Sequence, residues 1–427
     1  MSMKTTPYWW EDEPREAASK IAPPAKVDVA IVGAGYTGLS AALVLARSGL
    51  SVAVFEAGQL GEGASSRNGG MVGPSFHKLG IAGLKAQYGV DKTNEILKES
   101  VGFVDFLEDF LKTEKIDADF KRTGRFLGAL KPAHYDTMAA GLEDLQTACG
   151  VKGEMVTNSA LESETGSAKF FGGLVFHQDG GLHPAKYHSG LVAKVREAGV
   201  VILDHTPVGK VEKMAAGLIL TTPNGQTTAD KVAICTNGYT GSAFKEFKRR
   251  ILPLRSAIIA TEPLAPEVMK RLMPKHRMQG DSRRLFAYYR PSPDGSRILF
   301  GGRATGLKDA PNKNAALLHR SMCEIYPELN TTKISHVWSG LVAYTFDHSP
   351  HIGKIGDLHF AMGYCGSGVA RSTYFGTKLG HKILGQEELG HTSFDEMPLK
   401  GKPFYNGSPW FMPAVLSWHR AADRLGL

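Results

Sequence analysis

Cysteine is scarce, with four in 427 residues, at positions 149, 235, 323 and 365. None falls in a CxxC spacing, which excludes a disulfide framework and a cysteine-ligated zinc site and points to a reducing compartment, the cytoplasm. No histidine stands at a metal-ligand spacing with a third partner, so no metal is expected. The opening residues MSMKTTPYWWEDEP are acidic and lack an apolar segment, which argues against a signal peptide. The stretch from Val27 is marginal in length for a membrane span, and its glycines would crowd such a helix. Charge of one sign is not extreme: +8 overall favours anionic ligands, but no basic stripe of the kind nucleic acid requires is present. The cluster KEFKRR at 245–250 reads as a solvated face. Internal repeats and low-complexity tracts are absent too. A hydrophobic fraction of 42% over this length supports a large core and two domains.

Against these absences stands one strongly organised stretch, VDVAIVGAGYTGLSAALVLARSGLSVAVFEAG, from Val27 to Gly58. The run Val27–Val32 reads as a strand buried on both faces of a parallel sheet. The turn Gly33-x-Gly35-x-x-Gly38 opens a proline-free helix from Tyr36 to Ser48, and a second strand, Ser51 to Phe55, ends in Glu56. In this frame Gly33 makes the tight turn, Gly35 lets backbone approach a pyrophosphate, and Gly38 lets helix and strand lie close. Glu56 stands where an acid accepts hydrogen bonds from a ribose diol. The helix start offers N–H groups and positive dipole to phosphates. The following segment, GQLGEGASSRNGGM, is too rich in small residues for a packed element and reads as backbone pressed against a flat ligand.

Along the rest of the chain the character alternates. Residues 86–130 turn helical and charged, ending in a strand-like Phe120–Leu130, and a helix follows near His134 to Cys149. A turn at 180–184 leads into a helix from Ala185 to Ala198 and the strand Val200–Leu203. Short strands over 208–229 precede the buried strand Lys231–Cys235. Residues 246–337 bring strands around 252–259, 284–290 and 297–302, with helices at 266–272 and 315–326. A last strand, Leu358–Met362, is followed by a Gly-rich turn and a helix to Leu384. The expected division is a discontinuous nucleotide domain (26–85, 180–245, 338–390) and a substrate domain (86–179, 246–337). An N-terminal arm (1–25) has Tyr8, Trp9 and Trp10 as anchors. The segment 391–427 is a tail, helical from 409, which caps its own chain or meets a partner and leaves the oligomeric state open.

The segments VDVAIVGAGYTGLSAALVLA, GEGASSRNGG, GGLHPAKY, CTNGY, YYR with LFGGR, HIG, GYCGSGV and DRLG occur in one order over about 400 residues. With them the chain resembles the D-amino-acid-oxidase-like FAD-dependent oxidoreductases, which include glycine oxidase and sarcosine oxidase. Within that family it is most similar to the gamma-glutamylputrescine oxidoreductases. The resemblance implies an α/β fold: a Rossmann-like FAD-binding domain carrying an inserted α+β substrate domain with an antiparallel sheet. It also implies that Gly33, Gly35, Tyr36, Thr37, Gly38, Glu56 and Ala57 bind the ADP half. Ser65, Ser66, Arg67, Asn68, Gly69, Gly70 and Met71 would run along the flavin. Val208 would meet the adenine through its backbone, with Thr236, Asn237 and Gly238 near the pyrophosphate. Gly366, Ser367, Gly368 and Val369 would place a helix start at the flavin N1–C2=O edge, where reduced flavin carries negative charge.

Some relatives attach FAD through a cysteine in the loop after the late tryptophan. That loop, LVAYTF at 341–346, has none, so FAD is expected to be non-covalent. Relatives that oxidise amino acids often hold the substrate carboxylate with an arginine in the same loop, also missing here. This favours a small-molecule amine whose charge lies farther from the reacting carbon, oxidised by hydride transfer to flavin N5. The candidate pocket residues are His77, Tyr289, Arg290, Arg303 and Tyr364, with Arg125 as a further cation. Tyr288 and Tyr289 alternate across a strand, so only one of them faces the cavity. The electron acceptor, O2 or another, is left open. Other readings are oxidation of an amino acid, a 2-hydroxy acid or a polyol phosphate, a domain acting on modified RNA, and a flavoprotein without catalysis.

Overall fold

The computed structural model describes all residues except 1, 2, 19, 20, 75, 77, 78, 305–307, 413, 416 and 419–427. Its first layer grows from the βαβ unit: strand β1 (Lys26–Val32), helix α1 (Tyr36–Arg47) and strand β2 (Val52–Phe55). Val29, Ala30 and Ile31 are fully buried, as a strand covered on both faces requires. β1 runs parallel both to β2 and to strand 225–234, and the sheet extends to 201–203 on one side and to 358–362 and 351–355 on the other. A hairpin at 210–222 hangs from strand 225–234. Helix 368–384 packs beside α1, its buried Phe375 and Leu379 sharing a core with Leu39 and Leu43.

The second sheet also has eight strands, in the order 334–344, 252–261, 298–303, 288–291, 278–281, 125–128, 173–176 and 153–156. Its pairs are antiparallel except one. Strand 278–281 lies parallel to 125–128, with Met278 opposite Arg125 and Gly280 opposite Leu127. That seam joins two chain segments that the sequence separates by the whole middle of the first sheet. A parallel pair needs a long crossover and suits such a junction. Phe126, Val175, Ile259, Phe300 and the inner face of helix 311–325 fill the core behind it.

Two expected boundaries shift. Residues 90–113 form amphipathic helices whose inner residues Ile96, Leu97, Phe103, Leu107 and Leu111 enter the first core, not the second. Their charged composition describes only the outer face. Strand 334–344 belongs entirely to the second sheet, so residue 338 falls inside an element and not at a border. Among the described residues, no helix is long and apolar enough to cross a membrane.

The arm is anchored by its aromatics, as its composition suggests. Trp9 is fully buried in a short helix (Trp9–Asp12), and Lys4 bridges to His336.

Candidate flavin and substrate site

A cavity of about 1260 Å³ lies between the two sheets. Pockets for drug-sized ligands run to about 1,000 Å³, so this one has room for a dinucleotide with a second molecule beside it. One end is the turn after β1. Gly33 sits at φ +107, where a Cβ would stand 2.9 Å from the Cys235 carbonyl oxygen, and its N–H donates to Phe55 O (2.8 Å). A Cβ on Gly38 would lie 2.0 Å from Gly33 O, so close contact of helix and strand does require glycine there. Gly35 lines the cavity, and Tyr36 N–H donates to Ser65 Oγ (3.1 Å). Thr37 of the same first turn also lines the cavity, and first-turn N–H groups, having no partner within a helix, suit an anion.

Glu56 is tied into this turn. Oε2 accepts from Ala34 N–H (2.9 Å), and Oε1 accepts from Ala57 N–H (2.9 Å) and Gly58 N–H (3.3 Å). Burial raises its carboxyl, opposed by these three donors. A carboxylate offers about four lone-pair sites, so one remains for a ribose hydroxyl.

The loop 63–71 presents alternate faces. Ser65, Arg67, Asn68, Gly69 and Met71 line the cavity, whereas Ser66 and Gly70 do not. Ser66 is turned to the arm, accepting from Trp10 Nε1 (2.8 Å) and donating to Gly61 O. Gly70, at φ +65, is pressed against Leu182: a Cβ would meet Leu182 O at 2.2 Å. Three carbonyls of the loop are held by side chains of other elements. Trp338 Nε1 donates to Arg67 O (2.8 Å), Trp9 Nε1 to Asn68 O (2.9 Å), and Arg290 Nη1 to Gly70 O (2.9 Å) and Leu182 O (2.7 Å).

Arg290 is therefore a buried positioning residue and not a receptor for substrate, because its guanidinium is spent on backbone oxygens. Tyr289 is likewise displaced from the pocket. It is fully buried and stacked on Phe300 (5.2 Å, 16°), while Tyr288 faces the cavity with its hydroxyl 2.9 Å from Ser256 Oγ. Strand parity settles that one of the two faces in; only the register with the neighbouring strands decides which. Gly238 also misses the cavity, since it abuts the end of strand 334–344 near Leu341 and Ala343. Thr236, Asn237 and Val208 do line it. His77 lies outside the described residues.

Tyr364 lines the cavity but is almost wholly buried, and its hydroxyl meets Thr37 Oγ1 at 2.7 Å, joining the two helix starts. Helix 368–384 begins at the wall, with Gly366 to Val369 lining it. Arg303 faces in and donates from Nη2 to Tyr344 OH (3.0 Å); among the described residues it meets no carboxylate.

Sequence reasoning missed Arg255, whose Nη1 donates to Ser339 Oγ (2.8 Å), Arg284, Tyr239 and Asp179, all of which line the cavity. Arg255 lies on strand 252–261, whereas Arg284, Tyr239 and Asp179 come from turns, and only the tertiary fold brings them together. His183 caps helix 184–197 by accepting from Lys186 N–H (3.1 Å), and His351 is held by Met397 O (2.9 Å) and Asp347 (3.0 Å). Among the described residues no cluster of metal-ligating side chains occurs.

A glycine cradle, a backbone-bound acid and two helix starts around an elongated cavity fit FAD. The family model for FAD dependent oxidoreductases matches residues 28–381, and the chain belongs to that family. Among its relatives is the probable oxidoreductase OrdL of Haemophilus influenzae (32% identical, covering 84% of each chain). Another is the gamma-glutamylputrescine oxidoreductase of Escherichia coli (28%, 94% of this chain and 93% of that protein). The crystal structure of glycine oxidase from Geobacillus kaustophilus superposes with a TM-score of 0.72 at 19% identity, covering 89% of this chain and 99% of that one. The fold is thus that of the flavin-dependent amino-acid oxidases, and the protein is an FAD-dependent oxidoreductase.

Proposed function

We propose that the enzyme oxidises a primary or secondary amine bearing a carboxylate away from the reacting nitrogen, with a γ-glutamyl-polyamine as the type substrate. The observation that carries this reading is Arg303, a cation of the second sheet that lines the same cavity as the flavin loop and meets no carboxylate among the described residues. The similarity to a gamma-glutamylputrescine oxidoreductase supports it.

When bound, FAD would accept a hydride equivalent from the C–H beside a neutral amine, leaving an imine that water hydrolyses to a carbonyl compound and an amine or ammonia. The chain's own task is positioning and electrostatics. The turn 33–38 and Glu56 hold the ADP half, and the loop 65–71 with its fixed carbonyls supports the flat ring. The helix start at 366–369 offers N–H groups to charge that develops on reduction. Arg303, with its guanidinium partly uncommitted, receives the carboxylate.

Anaerobic mixing of the yellow protein with a panel of amines tests the reading. Bleaching of the flavin band by amines with a distal carboxylate, faster than by glycine, is the expected result. Bleaching by 2-hydroxy acids and by no amine would overturn it.

Non-covalent attachment is part of the proposal: acid precipitation is expected to release all the yellow colour into the supernatant. Cys365, which lies beside the end of strand 334–344, has its Sγ 3.1 Å from Gly363 O and turned toward it. The four cysteines form no disulfide, which suits a cytoplasmic enzyme.

A further inference from the structure

Asp179 is a buried carboxylate that the scheme above does not use. It lies between strand 173–176 and the two-residue strand Gly180–Gly181, and its own carbonyl oxygen accepts from Gly124 N–H (2.8 Å). The residue is 1% exposed, yet its side chain lines the cavity. Oδ2 stands 2.8 Å from Arg125 Nε, but off the hydrogen-bonding direction. Among the described residues neither carboxylate oxygen receives a hydrogen bond, and Arg125 Nε makes none. The carboxylate leans on backbone, since a Cβ on Gly73 would come within 2.4 Å of Oδ2. A buried carboxylate with empty acceptor sites is costly and needs a reason. An ammonium or guanidinium entering the cavity would supply the missing donors.

The opposite charge, Arg303, is carried on a strand farther along the same sheet. Arg125 is opposite Met278, Gly280 opposite Tyr288, and Tyr288 opposite Gly301, two residues before Arg303. The strands bearing Arg125 and Arg303 are thus three spacings apart, about 14 Å. An α-amino acid, whose amine and carboxylate share one carbon, cannot touch both ends.

We propose that Asp179 is the recognition site for a cationic nitrogen of the substrate, so that the cavity selects chains carrying a cation at one end and a carboxylate at the other. This rests on the amine reading above and adds a specificity-determining residue to it. Burial raises the Asp179 carboxyl to about 6 against the pull of Arg125, as expected for a site that becomes fully ionised only when a cation arrives.

The test is equilibrium binding to the FAD-loaded protein of two ligands that flavin cannot oxidise as amines: 6-guanidinohexanoate and hexanoate. Binding is read by flavin absorbance perturbation and by calorimetry. The guanidino acid is expected to bind at least tenfold tighter than hexanoate. In Asp179→Asn that preference should vanish with hexanoate affinity unchanged, and Asp179→Glu should restore most of it. Arg303→Gln should weaken both ligands together. Equal affinities in the wild type, or a preference that survives in Asp179→Asn, would overturn the assignment. If the asparagine variant fails to retain FAD, the wild-type comparison and the glutamate variant still decide.

Because neither probe is oxidised, this outcome is separate from that of the amine reading. Preference without any amine bleaching sinks the chemistry and keeps the site. Bleaching without preference does the reverse.

Discussion

Two carboxylates of this chain are displaced in opposite directions, and each displacement has a consequence for stability. At Asp347 burial acts to raise the carboxyl, but the hydrogen bond and charge of His351 overcome it and bring it down to about 2. A depressed folded-state value contributes stability that is complete above the unfolded value near 4 and fades as pH falls toward 2. Asp347→Asn should therefore lower the thermal midpoint at pH 6 and leave it less dependent on pH between 4 and 2. Asp179, raised by burial, has the other sign: the folded state holds its proton longer, so its ionisation destabilises as pH climbs from about 4 through 6. Asp179→Asn should flatten the midpoint over that window, measured on protein without substrate.

At the same scale, Arg303→Ala should raise KM for amines with a distal carboxylate by tenfold or more. That of uncharged amines should change little, because a charge-assisted contact is lost only for the former. The tight turn at Gly33 and the close approach at Gly38 were legible from spacing alone, since both follow from backbone geometry within one βαβ unit. The choice between Tyr288 and Tyr289, and the diversion of Arg290 to Gly70 O and Leu182 O, were not. The first depends on register with the flanking strands, and the second on backbone more than a hundred residues away.

At the level of elements, the N-terminal arm behaves as part of the flavin loop's support. Trp9 and Trp10 donate to Asn68 O and Ser66 Oγ, and the guanidinium groups of Arg15 (3.8 Å) and Arg67 (4.7 Å) both lie over the Trp10 ring. An unmade buried hydrogen bond costs about 1–3 kcal/mol. Trp9→Phe should thus weaken FAD retention roughly fivefold or more, read by titrating apoprotein and following flavin fluorescence. The aromatic cluster at 8–10 announced an anchor but not its target. The helices of 90–113 show why composition misleads: their charged faces suggested a new domain, while their apolar faces complete the core under α1.

For the whole molecule, the fold class was readable from motif order, and the family match over residues 28–381 bears it out. The inner geometry of the cavity was not readable, because its walls come from both sheets and are fixed by register across eight strands. The seam between 125–128 and 278–281 has a bearing on how this protein must be made. A ribosome that has delivered residues 1–250 has released three strands, 125–128, 153–156 and 173–176, whose outer flank has nothing yet to bind. That flank stays adhesive until nearly thirty more residues emerge, so a fragment stopped at 250 should aggregate where the full chain does not. The middle of synthesis, between the strand 173–176 and the strand 278–281, is then when this enzyme is most in need of a chaperone.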